Sequence, residues 1–168
     1  FSPDASFPVI NIEKGRFPGH VTASFEVSTE NARILSIEAG IKINVVPGKA
    51  HATITGLTEE ELRPMAEGVT KETGVQFEFQ AEEDAIVITA VGEGAHASTP
   101  EEGKNALASL LLLLDRLPFA SCGQTKLINS LTECFPWNDT EGKALGVAMQ
   151  AEGSGALSLA FTMLTMTE

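Results

Sequence analysis

The chain has 168 residues, 43% hydrophobic and 20% charged, with 15 glycines, the make-up of one folded globular domain rather than a disordered segment. Eleven Lys and Arg against 23 Asp and Glu leave a formal charge of -12, which excludes a broad nucleic-acid footprint and argues against attraction to anionic lipid. The longest unbroken aliphatic run, Leu110 to Leu114, falls far short of the roughly 20 residues a membrane span needs.

Residues 1–19 carry Pro3, Pro8 and Pro18 with Gly15 and Gly19 and are expected to be an extended entry segment. Val21 to Val27 alternates apolar Val21, Ala23, Phe25 and Val27 with Thr22, Ser24 and Glu26, the period of a half-buried strand. Ile34 to Gly40 and Ala50 to Thr55 are two more predicted strands, with Ala50, Ala52 and Ile54 on one face and His51, Thr53 and Thr55 on the other. Between them the hydrophobic stretch Ile43 to Val46 ends in the Pro47-Gly48 turn signal.

Thr58-Glu59-Glu60-Glu61 is a capping box that opens a helix running to about Thr73, stopped by Gly74. Pro64 conflicts with that start because it removes an internal hydrogen bond, so either the helix begins later or its first turn is distorted. Val75 to Phe79 and Ala85 to Val91 form a predicted hairpin about Glu82-Glu83-Asp84. Thr99-Pro100-Glu101-Glu102 reads as a second capping box, with Pro100 in the first helical position. The helix that follows carries Ala106, Leu107, Leu110, Leu111, Leu114 and Leu117 at helical spacing and ends at Pro118. Gln124 to Phe135 is a third helix, and Ala144 to Gln150 with Leu157 to Thr165 a strand pair around Gly153 and Gly155. The fold class expected is α+β, an antiparallel or mixed sheet with helices on one face.

The catalytic vocabulary is thin. His20, His51 and His96 are the only histidines, widely spaced, and no His-Glu-x-x-His, Cys-x-x-Cys, nucleophile elbow or phosphate-binding loop is present. A zinc site needs about three converging protein ligands, which no local pattern supplies. Cys122 and Cys134, the only cysteines, read as two buried free thiols of a reducing compartment, and with no basic-then-apolar leader pattern at the start a cytoplasmic location is expected. The segment Gly94-Ala95-His96-Ala97-Ser98-Thr99-Pro100 places a histidine at the end of a strand, three residues before a capped helix, with small neighbours that leave its imidazole uncovered. Two readings stand for His96: a structural ring hydrogen-bonded to its loop, or a donor to an oxyanion or proton carrier.

Gly94 to Ala106 resembles the histidine-bearing motif of the lid domain in the di-zinc exopeptidases of peptidase family M-twenty, in particular the monomeric dipeptidase V branch. Two further stretches agree in order. Phe1 to Ile10, with Glu13-Lys14-Gly15, is similar to the segment that closes the catalytic half and leads into the lid, and Gly40 to Pro47 resembles the lid's Asn-x-Val-Pro loop. Asp139 to Met163 is also similar to that branch. The resemblance implies a ferredoxin-like lid over residues 16–168, lacking its C-terminal part, with residues 1–15 as the end of the catalytic domain and linker. The chain begins with Phe1 rather than Met, and a fragment is expected. By the resemblance, Asp4 matches a zinc ligand, Asn44 a residue near the bound dipeptide, and His96 the histidine that stabilises the oxyanion. The remaining zinc ligands, the general base and an arginine that grips the substrate carboxylate have no counterpart in the chain. The resemblance thus implies a zinc-dependent dipeptidase as the parent, holding two zinc ions that the fragment does not hold firmly, and a fragment inactive alone. The alternative is a non-enzymatic binding or dimerisation module with a structural histidine loop, pairing through a sheet edge.

Overall fold

The computed structural model describes residues 14–168. In chain order its elements are β1 (Arg33–Ala39), β2 (Val45–Val46), β3 (Lys49–Thr55), α1 (Glu59–Thr73), β4 (Gln76–Ala81), β5 (Ile86–Val91), β6 (Ala95–His96), α2 (Ala106–Arg116), α3 (Gly123–Cys134), β7 (Gln150–Ala151), β8 (Gly155–Ala156) and β9 (Leu164–Thr167). Five strands form one sheet in the order β4-β5-β3-β1-β9, every neighbouring pair antiparallel. Because β3 and β4 both run antiparallel to the β5 strand between them, β3-α1-β4 is a split β-α-β unit of the ferredoxin-like kind. The fold is α+β, as expected.

The alternation along each strand decides which face meets the helices. Ala50, Ala52 and Ile54 of β3 pair with Ala90, Ile88 and Ile86 of β5, and on the other side with Ala39, Ile37 and Ile34 of β1. All nine are buried. The opposite face carries Glu38, His51, Thr89 and Glu78 in one cross-strand row and stays open. α2 is the central helix, packed against α1, α3, β3 and β5. Its stripe of Leu107, Leu110, Leu111 and Leu114 is joined in burial by Ala108 and Leu113, since neighbours on several sides leave it little polar face. Each buried leucine contributes roughly 1.5–3 kcal/mol. Gln124 of α3 is also buried, and its Nε2 donates to the Ile34 carbonyl at 2.9 Å, beside a register shift between Ile34 and Ser36. A buried amide is tolerated because it is bonded.

Helix α1 starts at Glu59 as its capping box dictates: Thr58 Oγ1 accepts from the Glu61 N–H and Glu61 Oε2 from the Thr58 N–H. Gly74, with φ +75°, closes it through a bond from its N–H to the Thr70 carbonyl at 2.8 Å. Pro64 lies within the helix without delaying its start. The carbonyl it deprives of a donor belongs to Glu60, an exposed residue, so the loss falls on the solvent side of the helix rather than in the core.

Four expectations need correction. Residues 21–27 form no strand. Both edges of β1 are taken, by β3 and β9; Val21 is 89% exposed, and Phe25 alone of this stretch packs on the core. The second capping box does not open α2: Pro100–Glu102 is a 3-10 turn, and Thr99 makes no side-chain cap. Asn105 caps α2 instead, its Oδ1 accepting from the N–H groups of Leu107 and Ala108 at 3.0 and 3.2 Å. The predicted terminal strand pair shrinks to the two-residue strands β7 and β8. Residues 164–167 pair with β1 instead, Met166 opposite Ile37, because that edge offers both backbone partners and a buried face. Cys122 and Cys134 are free, as expected, but half-buried rather than buried. Among the described residues no helix is long and apolar enough to cross a membrane.

Candidate functional site

Asn44 and His96 come from segments about 50 residues apart in sequence, yet the ladder between β2 and β6 brings their backbones to adjacent rungs of one ribbon. Val45 lies opposite His96 and Val46 opposite Ala95, and the Ala97 N–H donates to the Asn44 carbonyl at 2.9 Å. Asn44 is a central residue of the turn closed by the Val45 N–H on the Lys42 carbonyl at 3.3 Å. Val46 anchors the ribbon, being 1% exposed, while His96 faces solvent.

The histidine loop is strapped down at its base. The Gly92 N–H donates to the Gly48 carbonyl at 2.9 Å, and the Ala106 N–H to the Pro47 carbonyl at 2.9 Å. Glu93 and Lys104 exchange backbone bonds of 3.0 and 2.8 Å and pair again through their side chains. Gly92 is needed for close approach, since a Cβ there would sit 2.1 Å from the Lys104 carbonyl oxygen. Within the loop, His96 Nδ1 lies 2.7 Å from Ser98 Oγ and 3.2 Å from the Ser98 backbone nitrogen. The Thr99 N–H donates to the His96 carbonyl at 3.0 Å, which closes a tight turn.

Of the predicted site residues, Asn44 and His96 are thus neighbours, and Asp4 lies outside the described residues. His51 is elsewhere, on the open sheet face opposite Glu38, with Nδ1 3.0 Å from Thr89 Oγ1. No three His, Cys, Asp or Glu side chains converge among the described residues, so these residues alone do not fit a zinc site. A separate cleft of about 270 Å³ is lined by Pro100, Lys104, Asn105, Phe135, Trp137 and Phe161 among others, and includes neither Asn44 nor His96. Phe135 and Phe161 stack there with centroids 4.6 Å apart. Asp139, which also lines the cleft, accepts from the N–H groups of Glu141, Gly142 and Ala144 at 3.1, 2.9 and 2.8 Å. Partial burial pushes its carboxyl up, but the donated backbone N–H groups outweigh this and hold it below the usual carboxylate range.

Sequence reasoning missed two residues that shape this region, Ser98 and Asn105. The signal for Asn105 was present, an amide immediately before the apolar run from Ala106. Ser98 had none, because its role depends on how the loop turns.

No protein-family model matches the chain. It is similar to the protein named Beta-Ala-Xaa dipeptidase of Lactobacillus delbrueckii subsp. lactis, 33% identical over 151 residues, covering 88% of this chain and 31% of the relative. It is similar too to the putative dipeptidase YtjP of Bacillus subtilis, 29% identical over 161 residues, or 95% of this chain and 34% of the relative. A putative dipeptidase of Staphylococcus epidermidis is 29% identical over 124 residues, 70% of this chain and 26% of that protein. The chain therefore spans about a third of the length of the curated relatives it matches.

Proposed function

We propose that this chain is the lid portion of a metal-dependent dipeptidase of the M-twenty type, with residues 16–168 as the lid and residues 1–15 leading in from the catalytic part. Similarity to proteins named dipeptidases over 88% and 95% of the chain supports the reaction class. The observation that carries the site is the β2–β6 ladder, which makes neighbours of the two residues the resemblance assigns to substrate, Asn44 and His96.

In this reading His96 donates a ring N–H to the carbonyl oxygen of the scissile peptide as negative charge develops on it. Asn44, one rung away on the same ribbon, offers an amide that donates to or accepts from the dipeptide backbone. The base of the loop, clamped by Glu93 and Lys104, keeps the donor from retreating as charge develops, which is where such stabilisation gains its strength. Zinc enters the proposal through Asp4 alone, because the described residues bring no metal-binding cluster together. The role given to this chain rests on its own side chains.

His96→Ala in the full-length parent is expected to lower kcat on dipeptides by about 100-fold or more, the loss that follows removal of one oxyanion donor. A rate near that of the unmodified enzyme would sink the assignment. The purified 168 residues, with zinc added, are expected to hydrolyse no dipeptide; measurable release of amino acids would overturn that part.

The free edge of β4, Gln76–Ala81, favours a second reading, pairing between copies through the sheet. Its exposed Gln76, Glu78 and Gln80 blunt the edge, and sedimentation of the chain as a monomer at high concentration would exclude it.

A further inference from the structure

We infer that Ser98 is a positioning residue for His96, holding the imidazole in the neutral form that carries its proton on Nε2 and presents that N–H outward. The inference rests on the proposed role of His96 for its catalytic consequence, but not for its geometry. His96, Ala97, Ser98 and Thr99 form a turn closed by the Thr99 N–H on the His96 carbonyl at 3.0 Å. Within it the Ser98 N–H points back at the ring of the residue two positions earlier, 3.2 Å from Nδ1, as an Asx turn does with a carboxylate or amide oxygen. Ser98 Oγ lies nearer, 2.7 Å from the same nitrogen.

A hydroxyl both donates and accepts, so the 2.7 Å contact alone leaves the proton's position open. The backbone N–H does not: it only donates. A proton on Nδ1 would meet it head-on, so Nδ1 is the acceptor and the hydroxyl donates to it as well. The ring proton then sits on Nε2. Two donors on one nitrogen also fix the ring plane, which the small flanking residues Ala95 and Ala97 do not. An exposed imidazole is thereby held in one orientation, at the cost of two local bonds rather than of burial.

The test has two arms. Nitrogen-15 NMR of the ring in the 168-residue chain, at about pH 8.5 where an imidazole is neutral, is expected to give one tautomer protonated on Nε2. Ser98→Ala keeps the backbone donor, so Nε2 should remain the main protonated site, but loss of the hydroxyl donor should admit a minor fraction protonated on Nδ1; Ser98→Thr, which keeps the hydroxyl, should restore the original spectrum. In the full-length enzyme Ser98→Ala should lower kcat about 3- to 10-fold with KM little changed, the loss of one neutral hydrogen bond, again restored by threonine. A wild-type ring protonated on Nδ1, or a Ser98→Ala spectrum identical to wild type, overturns the inference whatever the kinetics. A shifted spectrum with unchanged kcat leaves Ser98 as the positioning residue and instead refutes His96 as the oxyanion donor.

Discussion

Replacing Asn105 by alanine separates the cap that the sequence motif advertises from the cap the fold uses. Asn105 Oδ1 accepts from two N–H groups at the start of α2, at 3.0 and 3.2 Å, and its Nδ2 donates to the Phe161 carbonyl at 2.9 Å. Alanine removes an N-cap worth about 1 kcal/mol and leaves a part-buried carbonyl unbonded at a further cost of about 1–2 kcal/mol. The sum is roughly 2–3 kcal/mol, and for a chain of this size each kcal/mol moves Tm by about 2–4 °C. A Tm lower by about 5–10 °C is therefore expected in calorimetry or thermal circular dichroism. Thr99→Ala is the control. Its hydroxyl only donates to Glu102 Oε2 at 3.1 Å in an exposed turn, so less than about 0.5 kcal/mol is at stake. Asn105→Asp keeps the acceptor and complements the helix dipole, but supplies no donor to Phe161, and should fall between the two. Equal losses from Thr99→Ala and Asn105→Ala, or a loss below about 0.5 kcal/mol for the latter, would refute the reasoning.

Two further outcomes follow from packing and charge. Gly92→Ala places a Cβ 2.1 Å from the Lys104 oxygen and should cost about 1–3 kcal/mol by overpacking; hydrogen exchange at Glu93, Ala97 and Lys104 should speed up, and unchanged exchange would show that the strap does not hold the loop. The Asp139 carboxyl is held below its unfolded value by backbone N–H groups despite partial burial, so its contribution is fully present above about pH 4 and is lost as pH falls through the lower folded value. The amide resonances of Glu141, Gly142 and Ala144 should therefore move together on acidification in the wild-type chain and stay still in Asp139→Asn; constant wild-type resonances down to about pH 2 would contradict this.

Local signals proved legible wherever a short stretch satisfies its own backbone. The capping box at Thr58 and Glu61, the stop at Gly74 and the hairpin about Glu82 to Asp84 need no distant partner, and each forms where the residues indicate. The alternation of Ala50, Ala52 and Ile54 likewise names the buried face of β3 before any neighbour is known. Signals that depend on a partner failed in a consistent way. Val21 to Val27 alternates as well as β3 does but pairs with no strand, since β3 and β9 already occupy both edges of β1, and of the seven residues only Phe25 packs on the core. Thr99 to Glu102 matches a cap motif, yet the chain first exchanges backbone bonds between Glu93 and Lys104, and the helix starts only where the Ala106 N–H donates to the Pro47 carbonyl.

The same division runs through the site. An exposed histidine among small residues, on a loop between strand and helix, is a property of residues 94 to 100, as is an asparagine before Val45-Val46-Pro47. Their adjacency is not, because the bond between Ala97 and Asn44 joins segments with β3, α1, β4 and β5 between them. Nor is the orientation of the ring, which two atoms of Ser98 set only once the turn has closed. By itself the sequence determined an acidic α+β chain with its helix caps, its core stripe and an uncovered imidazole, since these rest on composition and on contacts a few residues apart. Tertiary structure alone decided which strands pair, which amide caps α2 and what stands beside His96, because backbone groups left open by one segment are satisfied by another far along the chain.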